Sequence, residues 1–203
     1  GSLANEDTVY NWGKNIAYRY TKHLAEIEVS NGVRIGLNAT IVNPSIIIGA
    51  RDINVHGGQF VRDIKLGKIP FYTDGGTNVV GVDDVVTGHI AAAKRGRNGE
   101  RYILGNKNFT HEQLFLLVAT ITNGKAPKIK LPDWFIKSAA ILAQSLSYLP
   151  GVELPLTPAI AKNILAFNWC SHEKASRELG YKPQPIENAI LEAYDWYEIN
   201  GML

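Results

Sequence analysis

The segment LNATIVNPSIIIG, from Leu37 to Gly49, leaves few folds open to this chain. It is a nearly continuous apolar run rich in β-branched residues, interrupted at Asn43 and Pro44. Strands of parallel sheets read as continuous apolar runs because helices cover both of their faces, whereas strands with one face in water alternate apolar and polar residues. An Asn-Pro pair is expected where a strand opens into a loop. The run therefore predicts a buried strand of a parallel sheet, and with it an α/β fold.

A helix precedes this strand, and a second strand–helix unit follows it. Apolar residues recur at helical spacing from residue 17 onward, and the helix is predicted to end at 31–32, an Asn-Gly pair. Residues 79–82 read as another buried strand, and Asp83 or Asp84 is expected to cap the helix that runs to Lys94. Repeated strand-then-helix units indicate a doubly wound parallel sheet.

The chain divides into four segments on these patterns. Residues 1–49 hold the first helix and strand, residues 79–105 hold the second unit and a short strand, and residues 106–203 are mostly helical. Residues 50–78 alternate short elements with turns rich in Gly and Pro. We expect this segment to join the helical part in space, which would give a sheet domain and a smaller, mostly helical lobe.

Composition restricts the kind of partner. The 203 residues carry 21 basic and 19 acidic side chains, so no basic excess points to nucleic acid or to an anionic membrane. The most apolar helical run, 134–149, contains Lys137 and Gln144 and is shorter than the about 20 residues that span a bilayer. The single cysteine, Cys170, cannot form an internal disulfide, which favours a reducing compartment. The sequence predicts a cytoplasmic protein that binds a small molecule, and neither nucleic acid nor membrane.

Within the first helix, Tyr18 stands four residues before Lys22, so the two side chains lie one turn apart on one face. A phenol has a pKa of about 10, and a neighbouring ammonium stabilises the phenolate, which makes a tyrosine usable as an acid or base near neutral pH. The same spacing also fits two solvated side chains without chemistry. A second pair, Tyr10 and Lys14, has this spacing, but Gly13 breaks its helical periodicity. Only the first pair opens a helix that leads directly into the buried strand.

The segment YRYTKHLAE, from Tyr18 to Glu26, followed by the 37–49 run, resembles the active-site helix and next strand of the extended short-chain dehydrogenase/reductase superfamily. The helix motif of that superfamily is Tyr-x-x-x-Lys. The Asn-Pro-Ser turn is most similar to the branch that contains dihydroflavonol reductases and NAD-dependent epimerase/dehydratase proteins. VGVDDV (80–85) and KASRELGYKP (174–183) resemble later parts of the same family, so the resemblance covers nearly all of the chain.

This resemblance implies hydride transfer between NAD or NADP and a carbonyl or alcohol substrate. It implies that Tyr18 is the catalytic acid/base, that Lys22 assists it and binds the nicotinamide ribose, and that Asn43, Pro44 and Ser45 lie against the nicotinamide end of the cofactor. A nucleotide-sugar epimerase or dehydratase would use the same residues. A non-catalytic module that senses cofactor or a partner would keep them without turnover. The family often dimerises through a face that includes this helix, so a homodimer is a further implication.

Three residues of the 50–78 segment are candidates for substrate contact. His56 and Gln59 stand where the substrate lobe of the family begins, and Phe71 follows them in the same segment. Phe71 also fits a core aromatic. The histidines of the chain are scattered without the spacing of a metal site, so no metal site is predicted.

The sequence contains no Gly-x-Gly-x-x-Gly turn between a strand and a helix, although a dinucleotide fold uses such a turn to hold the pyrophosphate. The catalytic Ser or Thr of the family is also missing, unless Ser2 marks the edge of its region. We therefore expect the C-terminal part of a Rossmann-like sheet with a mostly helical substrate lobe, the N-terminal nucleotide-binding half being absent. Such a fragment is expected to be inactive alone. Neither the substrate nor a choice between NAD and NADP follows from these residues.

Overall fold

The computed structural model of the protein describes residues 3–147 and 156–203. Its helices, in chain order, are α1 (Ala17–Arg34), α2 (Gln59–Lys65), α3 (Val82–Arg95), α4 (His111–Thr122), α5 (Asp133–Leu146), α6 (Pro158–Ile164), α7 (Glu173–Leu179) and α8 (Ile186–Ile199). Its strands are β1 (Ile41–Pro44), β2 (Ile46–Ile48), β3 (Phe71–Thr73), β4 (Gly76–Gly81), β5 (Arg101–Leu104), β6 (Lys107–Thr110), β7 (Ile129–Leu131) and β8 (Phe167–Asn168).

The strands pair in three groups. β1 pairs in parallel with β5. β4 is central in a second sheet, where it pairs in parallel with β2 and β8 and antiparallel with β6. β3 and β7 form a separate parallel pair. Parallel pairing with helices along the connections confirms the predicted α/β class.

The predicted 37–49 strand is divided into β1 and β2 by Ser45. Ile48 is buried, but Ile46 and Ile47 are 40% and 37% exposed, and the residues of β1 are only half-buried. The expectation of burial on both faces is therefore wrong for most of the run. The physical reason is that β1 has β5 as its one strand neighbour in the described part of the chain, while Ile46 and Ile47 border an open cleft.

Helix α1 begins at Ala17 and continues to Arg34, slightly beyond the predicted end at 31–32. The left-handed backbone that follows the helix lies at Gly36, where φ is 106°, and not at the Asn-Gly pair. Glycine adopts this conformation without the steric cost that a Cβ would bring. No residue of α1 is fully buried, so the helix lies on the surface of the described structure.

Helix α3 starts without a side-chain cap, and the prediction of an aspartate cap is wrong. Gly81 is the N-cap, and Asp83 and Asp84 lie inside the first turn, where their charge still favours the helix N-terminus. The Asp84 carboxylate is buried and accepts a hydrogen bond of 3.0 Å from the Gln184 N–H. Burial raises the pKa of Asp84.

The largest core joins α2, α4 and α8 to β4, and its fully buried side chains include Ile64, Leu114 and Tyr197. Helix α2 therefore packs with the helical part of the chain. Two local sequence patterns in this part predict a capping box from Thr110 to Gln113 and a last helix from about Ile186 to Ile199. Both are confirmed, since Thr110 and Gln113 form the capping box and α8 has these bounds. These elements are determined by short-range sequence patterns.

Across residues 3–147 and 156–203, no helix combines the length and the apolarity needed to cross a bilayer. Helix α5 covers most of the apolar 134–149 run, and the last two residues of that run lie outside the described residues.

Candidate active site

A cleft of about 1320 Å³ opens where β1 ends and continues past β2. Its walls come from α1, from the turn at 43–45, from the loop after β2, from α2, and from the region around β8. In open α/β sheets, ligands bind in the crevice outside the carboxyl ends of the strands. The cleft therefore lies where a ligand of this fold class is expected.

Tyr18 lines the cleft on the side of α1, and its side chain is 71% exposed. The Lys22 ammonium lies 5.6 Å from the centre of the Tyr18 ring. Lys22 itself is not among the residues that border the cleft. One turn of helix thus brings the two groups close together at the edge of the cleft.

Asn43, the residue before the last of β1, lies on the cleft wall, but its side-chain amide is bonded to the protein. Asn43 Nδ2 donates to Glu26 Oε1 at 2.6 Å, and Glu26 Oε2 accepts from Arg101 Nη1 at 3.1 Å. Glu26 lies on α1, two turns after Tyr18, and Arg101 lies on β5. The network joins the helix that carries Tyr18 to both strands of the first pair.

Pro44 and Ser45 follow on the same wall. The Ser45 N–H donates to the Leu104 carbonyl at 3.2 Å. Ser45 Oγ is buried and has no hydrogen-bond partner among the residues the structure describes. A buried hydroxyl without a partner is uncommon in proteins.

The loop after β2 is organised by Asp52. Its carboxylate accepts hydrogen bonds from the N–H groups of His56, Gly57 and Gly58 at 2.9 to 3.0 Å, and from the Tyr197 hydroxyl at 3.3 Å. Burial would raise the pKa of Asp52, but these hydrogen bonds outweigh it and hold the pKa below its ordinary value. The loop places His56 on the cleft wall.

The neighbouring backbone is tightly packed. A Cβ at Gly57 would lie 1.9 Å from the Ile47 carbonyl oxygen, so only glycine fits there. Gln59, at the start of α2, also lines the cleft, whereas Phe71 lies in the β3–β7 pair, 44% exposed, and does not border it. The structure thus brings His56 and Gln59 to the cleft with Tyr18, and it places Phe71 elsewhere.

Several cleft residues were not predicted from the sequence. Arg19, the neighbour of Tyr18, donates from Nη2 to Asn163 Oδ1 at 2.6 Å and to Asn168 Oδ1 at 3.0 Å. Cys170 also borders the cleft, and burial raises the pKa of its thiol to about 11, so it is protonated near neutral pH. The position next to Tyr18 is a signal that could have identified Arg19. Its partners, Asn163 on α6 and Asn168 on β8, belong to no local sequence motif that would have predicted the contact.

In the described part of the chain, no three His, Cys, Asp or Glu side chains are grouped to hold a metal ion.

Comparison with known proteins supports the same class. No family model matches the chain. A dihydroflavonol 4-reductase-like protein of Synechocystis is 30% identical over 194 residues, which are 91% of this chain and 55% of the relative. The solved structure of gox2253 is 36% identical, with a TM-score of 0.87 over 100% of this chain and 62% of that chain. A dTDP-glucose 4,6-dehydratase of Streptomyces venezuelae, solved with NAD bound, has a TM-score of 0.71 at 18% identity, over 98% of this chain and 56% of that chain.

The fold and the cleft define an α/β protein with the architecture of NAD-dependent epimerases and dehydratases. The chain is similar to short-chain dehydrogenase/reductase proteins, and its curated relatives include dihydroflavonol reductase-like and sterol dehydrogenase proteins. The family predicted from the YRYTKHLAE segment is therefore confirmed. The chain spans about half the length of the curated relatives it matches.

Proposed function

We propose that this chain is part of an NAD(P)-dependent oxidoreductase that transfers hydride between nicotinamide and a carbonyl or alcohol substrate. The observation that carries the proposal is that Tyr18 and the 43–45 turn line one cleft, with the Lys22 ammonium beside the Tyr18 ring. The reductases and dehydratases among the similar proteins support the same class of reaction.

Tyr18, Lys22, Asn43, Pro44 and Ser45 are the residues that we propose to hold the nicotinamide end of NAD or NADP. The amide of Asn43 is already bonded within the protein, so its backbone matters more than its side chain. Pro44 and Ser45 line the cleft beside Asn43, which supports their place in this set. When bound, the cofactor supplies or accepts the hydride.

In our proposal, Tyr18 Oη gives its proton to the substrate oxygen as the carbonyl carbon is reduced, and it takes the proton back when the alcohol is oxidised. In the same proposal Lys22, whose ammonium lies 5.6 Å from the centre of the Tyr18 ring, assists this proton transfer. Because Tyr18 is 71% exposed, water can restore the proton between turnovers. We propose that His56 and Gln59, which line the same cleft, contact the substrate.

The test is a Tyr18→Phe variant of the whole protein, assayed by oxidation of NADPH or NADH with a panel of aldehydes and ketones. Loss of the proton donor should lower turnover about 100-fold to 10,000-fold while cofactor binding, followed by nicotinamide fluorescence, is kept. Tyr20→Phe is the matched control, because Lys14 lies at the same 5.6 Å from the Tyr20 ring and Tyr20 does not border the cleft. Full turnover in Tyr18→Phe would exclude the proposed role.

Nucleotide-sugar epimerases and dehydratases among the solved structures of this fold support a second candidate function. Such an enzyme uses the same tyrosine chemistry but regenerates its cofactor in each cycle. Net consumption of NADPH or NADH during turnover indicates the reductase, and product formation without net consumption indicates the epimerase or dehydratase. We propose that the 203 residues alone are inactive, because they contain no glycine-rich turn for the cofactor pyrophosphate.

A further inference from the structure

Arg19 follows Tyr18 on α1 and borders the same cleft. Its guanidinium stacks on Trp12, with 4.1 Å between Arg19 Cζ and the ring centre. Both of its hydrogen bonds, to the side-chain oxygens of Asn163 and Asn168, involve Nη2. The Nε and Nη1 donors of the guanidinium therefore remain for another partner.

The charge of Arg19 has no counter-ion in the described part of the chain. Two other arginines are half-buried, Arg62 and Arg101, and each pairs with a carboxylate, that of Asp63 and that of Glu26. The guanidinium of Arg19 instead donates to two uncharged side-chain amide oxygens, those of Asn163 and Asn168. Burial lowers the pKa of Arg19, as expected for a cation that is partly removed from water without an opposite charge nearby.

The carboxylates of the cleft are engaged elsewhere. Asp52 accepts the hydrogen bonds of its own loop, and Asp63 pairs with Arg62 at 3.3 Å. A second cation, Lys162, lies 5.4 Å from the centre of the Trp12 ring that Arg19 covers. This corner of the cleft thus has a positive charge that no neighbouring acid among the described residues neutralises.

We propose that Arg19 binds an anionic group of the substrate, a carboxylate or a phosphate, and so selects substrates that carry such a group near the reacting carbonyl. A guanidinium presents parallel N–H donors that match the oxygens of either group. The position of the anion beside Tyr18 would orient the carbonyl toward the phenol. The orienting role depends on the proposed function, whereas anion binding can be measured without turnover.

Two pairs of ketones serve as probes, and the members of each pair differ by the anionic group. Levulinate is compared with methyl levulinate, and dihydroxyacetone phosphate with dihydroxyacetone. Calorimetric titration of the whole protein should show at least one anionic probe binding about tenfold or more tightly than its neutral partner, as a charge-assisted hydrogen bond provides. The first pair reports a carboxylate ligand and the second a phosphate ligand. Equal affinity within both pairs would overturn the proposal.

Substitutions of Arg19 distinguish a specific role of this side chain from the effect of removing any one positive charge from the helix. Arg19→Gln should remove the preference for the anionic probe, and Arg19→Lys should retain part of it. Arg34→Gln is the matched control, because Arg34 is an exposed arginine of the same helix that does not border the cleft. Arg34→Gln should keep the preference. A preference that survives in Arg19→Gln, or an equal loss for neutral and anionic probes, would show that Arg19 has only a structural role.

The same data distinguish failure of this inference from failure of the proposed function. If anionic probes bind through Arg19 but Tyr18→Phe leaves turnover unchanged, the anion site stands and the oxidoreductase role of Tyr18 fails. If Tyr18→Phe abolishes turnover and the Arg19 variants leave the anion preference unchanged, the oxidoreductase role of Tyr18 stands and the anion site at Arg19 fails.

Discussion

A single residue, Asp52, organises the loop that follows β2 at the cleft. Its carboxylate receives three backbone N–H groups of the 56–58 segment and the Tyr197 hydroxyl, which connects the loop to α8. Two residues of this loop, Arg51 and Val55, have positive φ angles of 69° and 51°. Such backbone is unfavourable for residues other than glycine, and the surrounding contacts must hold it. Asp52 provides a large part of those contacts.

The lowered pKa of Asp52 makes its contribution depend on pH. A carboxylate whose pKa is lower in the folded state stabilises the protein above its ordinary pKa, and this stabilisation is lost as the pH falls through the folded-state value. We expect the free energy of unfolding of the wild type to fall more steeply than that of Asp52→Asn as the pH is lowered below about 4. Urea titrations at several pH values measure this difference.

Asp195→Asn is the control for this prediction, since Asp195 is exposed on α8. Its acid dependence should match that of the wild type. If Asp52→Asn instead loses stability with acid as steeply as the wild type does, the Asp52 carboxylate does not provide the pH-dependent contacts of the loop.

At the scale of elements, Glu26 connects α1 to β1 and β5. No residue of α1 is fully buried, so the helix has little apolar packing to fix it among the described residues. The hydrogen bonds of Glu26 to Asn43 and Arg101 therefore contribute to the position of Tyr18 relative to the 43–45 turn. Polar contacts of this kind are directional, which suits an element that carries a reacting group.

Glu26→Ala should lower the free energy of unfolding by about 1 to 3 kcal/mol, because the Asn43 amide and the Arg101 guanidinium lose an ionised acceptor. Chemical denaturation measures the loss. Glu28→Ala, at an exposed position of the same helix, should have little effect. Equal stabilities of the two variants would show that α1 is held by other contacts.

The elements differ in how well the sequence predicts them. The Tyr18–Lys22 pair, the Thr110 capping box and α8 follow from residues a few positions apart, and these were found from local spacing. The bond between Arg19 and Asn163 joins residues 144 positions apart, and no short-range pattern encodes it. The exposure of the 37–49 run was missed for the same reason, because periodicity predicts an apolar strand without showing which neighbours cover it.

At the scale of the whole molecule, the cleft joins two parts of the chain. Its lining comes from α1 and the 43–45 turn, and from the Asp52 loop, α2 and the β8 region, which Arg19 of α1 contacts through Asn163 and Asn168. Ligand pockets occur preferentially at the interfaces between parts of a chain and at the switch points of α/β sheets. The chain spans about half the length of its curated relatives, and we propose the cofactor chemistry for the whole protein.

The most direct test of the central claim is a crystal structure of the whole protein with NAD or NADP bound. We predict that the nicotinamide ring lies in the cleft between the Tyr18 side chain and the 43–45 turn. A nicotinamide ring bound away from this turn, or a Tyr18 hydroxyl that faces away from it, would contradict the account.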